Sequence, residues 1–107
     1  MGMRNDSFYY TKEAAKRLDN IVFQEILSFL RSHRLKKEEM LVVQMMTCYK
    51  RDCQRVIIRS PERDDKVLYD ECIYVLNPSK ACNKNVNVLN MEEGHILIFS
   101  DNEECLR

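Results

Sequence analysis

Residues 38–50 read EEMLVVQMMTCYK, and whether they coil or extend decides the fold. Val42 and Val43 would tolerate a strand, whereas Met40, Leu41, Met45 and Met46 are good helix formers. Glu38 and Glu39 in front, with Lys50 and Arg51 behind, match the helix dipole. On that balance the segment is expected to be a helix, apolar nearly all round and therefore buried.

Upstream, residues 12 to about 33 also read as a helix. Ala15, Leu18, Val22, Ile26 and Phe29 recur at spacings of three and four, and Ile21, Phe23, Leu27 and Leu30 widen the stripe. Thr11 is placed to cap its start, and Arg31 and Arg34 suit its end. The short break at 32–37 then predicts an antiparallel helical hairpin.

After residue 52 the period shortens to two. CQRVIIR alternates, and the polar run from Ser60 to Asp65 makes a loop. The next strand lies within LYDECIYVLNPSK, 68–80, and Asn77-Pro78 ends it because proline cannot donate to a ladder. NVNVLNM and HILIFS flank Glu92-Glu93-Gly94, a hairpin signal. From Cys72 to Leu76 both faces are apolar, which raises the question of what covers the second one. The expected architecture is segregated α+β: a helical hairpin over 1–51, then antiparallel strands over 52–107. Either the hairpin packs on the sheet in one compact domain, or each half completes its core with another chain.

The composition narrows the function classes. Over 107 residues the formal net charge is zero, which argues against binding nucleic acid by bulk charge. No run is apolar for long enough to span a bilayer, and the first residues lack the apolar core of a secretory signal. Five cysteines, an odd number scattered evenly, fit reduced thiols inside a cell, in cytosol or nucleus.

Catalytic and metal signals are sparse. The tightest cysteine pair, Cys48 and Cys53, and the two imidazoles, His33 and His95, make a poor zinc set. Cys48, Cys72 and Cys82 read as small buried hydrophobes. Cys53, between Arg51 and Arg55, is the candidate reactive thiol, although nothing local supplies a base. Glu92-Glu93 and Glu103-Glu104 read as solvated turn and tail. There is no phosphate loop and no Ser/His/Asp pattern, so neither an enzyme nor a cofactor is expected. Arg55 and Arg59 share one strand face and, with Arg51, form a basic stripe that could meet phosphates; the plainer reading is a solvated face.

Several strings resemble the small (gamma) subunit of the general transcription factor IIA. Phe8-Tyr9-Tyr10 stands where that family has a Tyr-rich opening, and Leu18-Asp19-Asn20-Ile21-Val22 stands near its first-helix pattern. Met45-Met46-Thr47-Cys48-Tyr49-Lys50-Arg51 is similar to the end of its second helix. Lys66 to Asn77 matches its central strand with one deletion, and Ile96-Leu97-Ile98-Phe99 its last strand. The family's strand tryptophan is absent here, and its strand-opening tyrosine falls near Lys66.

The resemblance implies a nuclear, non-enzymatic subunit that acts in RNA polymerase II initiation. Its hairpin would join two helices of the large subunit in a four-helix bundle, and its strands would complete a β-barrel with the same partner. Leu18, Val22, Ile26, Phe29, Met45, Tyr49, Ile73 and Val75 would form that interface. Lys66, Val67, Leu68, Tyr69 and Asp70 would meet the TATA-box-binding protein edge to edge, and promoter DNA would be touched through its backbone, without sequence reading. Two rival readings are a compact monomeric α+β adaptor that binds a peptide at a sheet edge, and a small thiol enzyme centred on Cys53.

Overall fold

The computed structural model of the chain describes residues 7–48, 52–75, 84–92 and 95–100. The elements run β1 (Ser7–Tyr10), α1 (Lys12–Arg17), α2 (Asn20–Ser32), β2 (Met40–Thr47), β3 (Cys53–Ser60), a 3-10 turn at Pro61–Arg63, β4 (Lys66–Tyr74), β5 (Lys84–Glu92) and β6 (His95–Ser100). The strands form one sheet in the order β1-β6-β5-β2-β3-β4. Every neighbouring pair is antiparallel except β1 on β6, which is parallel.

The segregated hairpin-then-strands architecture is therefore corrected. The segment expected as a second helix is β2, a central strand paired with β3 on one side and β5 on the other. Leu41, Val43 and Met45 are buried, while Met40, Val42, Gln44 and Met46 between them are half-buried. A central strand with apolar residues on both faces has the same composition as a buried helix, so propensity misleads here. Cross-strand packing of Val43 between Val86 and Ile58 decides the matter, because β-branched side chains fit a pleated surface. The two acids in front do not start a helix either. Glu38 adopts a left-handed backbone, φ 65°, and the Glu39 carboxylate accepts a hydrogen bond from the Lys36 N–H at 2.9 Å, closing a turn. Without a second long helix there is no hairpin and no half-bundle. Residues 1–51 and 52–107, expected as two domains, contribute interleaved strands to a single sheet.

The first helix forms, with a break. Thr11 caps α1, its hydroxyl oxygen accepting from the Ala14 N–H at 3.2 Å. Leu18 turns extended, and Asp19 caps a new helix, accepting from the Ile21 N–H at 2.8 Å. The break lets the chain bend across the sheet. Ala14, Leu18, Val22, Ile26 and Leu30 pack on Leu41, Val43, Met45, Val56, Ile58, Val86, Val88, Ile96 and Ile98, forming one core on one face. The expected β3–loop–β4 unit and the β5–β6 hairpin are present. Phe8-Tyr9-Tyr10 adds a strand unforeseen from sequence, laid parallel on β6 with Phe8 opposite Ile96. The strand end expected at Asn77-Pro78 lies outside the described residues.

A buried polar latch joins the helical layer to the sheet. Glu39 receives Arg63 at 3.2 Å, and the Asn90 amide donates to the carbonyls of Leu35 and Lys36 at 3.1 and 3.0 Å. The Asn90 N–H also donates to the Glu39 carbonyl at 3.0 Å. These bonds satisfy backbone groups that the α2–β2 connection would otherwise bury unpaired.

Candidate partner-binding edge

The helices answer half of the covering question. Ile73 and Val75 of the stretch quoted above face them and are buried. The opposite sheet face has no helix over it among the described residues. Its centre is closed by Cys53, Ile57 and Phe99, each buried, with half-buried Val42, Met46 and Leu97 around them.

Among the described residues the sheet has two edges, β1 and β4, and β1 is described over the four residues Ser7–Tyr10. β4 runs for nine residues, and only Ile73 within it is buried. The direction of its backbone groups follows from one bond. The Val75 N–H donates to the Asp52 carbonyl at 2.9 Å, so this residue points its polar groups at β3. In an antiparallel ladder the direction alternates. Ile73, Glu71 and Tyr69, opposite Gln54, Val56 and Ile58, therefore bond inward, and the N–H and C=O of Asp70, Cys72 and Tyr74 point outward. A bulge between Ile58 and Arg59 twists the strand away beyond Tyr69.

Side chains shape the ground beside this edge. Tyr74 is 74% exposed and, with Ile21, Val75 and Asp52, lines a shallow socket where α2 begins. Farther along, the Tyr69 ring meets Phe29 edge-on at 5.8 Å, and its hydroxyl reaches the Glu25 carboxylate at 3.5 Å, the outer limit of a hydrogen bond. Burial first, then the negative charges of Glu25 and Glu71, push the Tyr69 phenol up to about 12. Glu25 and Glu71 are both exposed, so the helix side of the edge is acidic. On the other side Arg55 grips Asp70 with two bonds of 2.9 and 2.7 Å. Those bonds hold the Asp70 carboxyl below its ordinary range and raise the guanidinium.

The sequence-derived site residues distribute unevenly over this geometry. Lys66, Val67, Leu68, Tyr69 and Asp70 all lie on β4, the long edge. Arg55 and Arg59 do share a face, but each is engaged within the chain. Arg55 holds Asp70, while Arg59 donates to the Gln44 carboxamide oxygen at 2.9 Å and faces Asp65 at 3.8 Å. Arg51 and Tyr49 lie outside the described residues. Leu18, Val22, Ile26, Met45, Ile73 and Val75 are buried in the chain's own core, with half-buried Phe29 packed against it. The thiol expectations reverse: Cys53 is buried and Cys72 exposed. The outward backbone of Cys72 and Tyr74 and the Ile21 socket were missed. Their one sequence signal is the mixed polar and aromatic pattern of YDECIY, too charged for a central strand. Among the described residues no group of three or more His, Cys, Asp or Glu could hold a metal, and no helix is long and apolar enough to cross a membrane.

No family model, no curated protein and no solved structure gives a significant match to this chain.

Proposed function

We propose that this protein is a two-layer adaptor that takes an extended segment of a partner protein along β4, without catalysis. The observation that carries the reading is the outward direction of the backbone donors and acceptors at Asp70 and Tyr74 on a long edge. Strand addition draws its affinity from such main-chain bonds and its specificity from neighbouring side-chain pockets. The Ile21–Tyr74–Val75 socket would hold an apolar side chain, and Glu25 with Glu71 would favour a basic residue nearby. Lys66, Asp70 and Glu71 charge the strand enough to discourage indiscriminate pairing.

The transcription factor IIA reading shares this edge contact, and the TATA-box-binding protein on promoter DNA therefore enters the test as a named partner. Its bundle with a large subunit lacks support, because the second helix it needs is a strand.

The test selects extended peptides from a display library on the full chain, in parallel with a pull-down by the TATA-box-binding protein on promoter DNA. Bound partners should slow amide exchange at Asp70 and Tyr74. Tyr74→Pro should abolish binding while the chain stays folded, because that nitrogen faces outward and leaves the ladder intact. Binding that survives Tyr74→Pro, or that maps to β1 or the helix-free face, would overturn the proposal.

A further inference from the structure

Two cysteines far apart in sequence meet on the helix-free face of the sheet. Cys48 follows the end of β2, Cys72 lies in β4, and β3 runs between them. Their sulfurs stand 2.8 Å apart, the Cys48 thiol donating to the Cys72 sulfur, against about 2.05 Å in a disulfide. Neither is in a disulfide. Cys72 is exposed and Cys48 half-buried, so a small reagent reaches the first while the second waits behind it. The Arg55 guanidinium, held in place by Asp70, interacts electrostatically with both sulfurs.

We propose that Cys48 and Cys72 are a reversible modification site that closes to a disulfide by exchange with a low-molecular-weight disulfide such as oxidised glutathione. The Cys72 thiolate attacks one sulfur of the reagent, breaking its S–S bond and releasing one reagent thiol. The Cys48 thiolate then attacks the Cys72 sulfur of that mixed disulfide and expels the second reagent thiol. The two protein thiols lose two protons and two electrons, and one reagent disulfide becomes two thiols. The bond ties the residue that follows β2 to β4. The site goes beyond the edge-binding reading and stands without it.

Titration of the native full chain with defined ratios of reduced to oxidised glutathione tests this, read by intact mass and by mapping of linked peptides. The expected product has lost two hydrogens, links Cys48 to Cys72, and unfolds at a higher temperature than the reduced chain. Cys48→Ser should instead leave a stable glutathione adduct on Cys72, and Cys53→Ser should leave the linkage intact because Cys53 is buried. Persistent mixed disulfide on the unaltered chain, or a linkage through Cys82 or Cys105, would overturn the assignment.

Discussion

Replacing Ile26 by alanine separates a chain that owns its core from one that shares it. Ile26 is 1% exposed and sits mid-helix in α2, facing the sheet. Such truncations cost ~2–5 kcal/mol, because the lost transfer energy adds to an incompletely collapsed cavity. A domain of this size holds about 5–15 kcal/mol in all, so the change removes a large fraction of the stability. At about 4–8 °C per kcal/mol, the melting temperature should fall by about 8–40 °C. Ile21, on the same helix, is 42% exposed, and its alanine variant should lose less than about 1 kcal/mol. Calorimetry or urea unfolding of the isolated chain reads both. If Ile26→Ala melts within a few degrees of the unaltered chain, or if the chain alone shows no cooperative transition, α2 is not packed on this sheet. The stripe would then await a partner's helices.

Three further outcomes follow from the same contacts. The Tyr69 phenol is raised to about 12 in the folded chain, so its contribution is complete below pH 10 and is lost as pH rises toward 12; stability of Tyr69→Phe should be flatter across that window. The Asp70 carboxyl is held down by Arg55, so its contribution is present above its ordinary value and fades as pH falls through the lowered one. In Arg55→Ala, an NMR titration should find Asp70 back in the ordinary carboxylate range. Glu39→Ala removes the acceptor of the Lys36 N–H and the partner of Arg63, and should cost ~1–3 kcal/mol by denaturant unfolding, with Glu39→Gln restoring part of it.

What the sequence discloses depends on how local the deciding physics is. The Leu18–Val22–Ile26 stripe, the Thr11 cap and the β5–β6 hairpin are set by neighbours in the chain, and they are legible. Residues 40–47 are not, because Val43 is a strand residue only by virtue of Ile58 and Val86 on either side. The Asp19 cap was legible in principle, as an N-cap residue in front of an apolar stripe, but the continuous periodicity hid it. The edge character of β4 was partly readable from its charges, whereas the outward direction of Asp70, Cys72 and Tyr74 depends on register, which no local signal carries. The meeting of Cys48 with Cys72 is likewise a product of topology.

Residue-resolved hydrogen exchange on the free chain, followed by NMR, tests the central claim most directly. Amides of Tyr69, Glu71 and Ile73 should exchange slowly and those of Asp70 and Tyr74 fast, with Leu41 to Met46 all protected as a strand paired on both sides. Uniform protection along 69–74, or none, would mean that β4 is not an open edge, and the adaptor reading would fall with it.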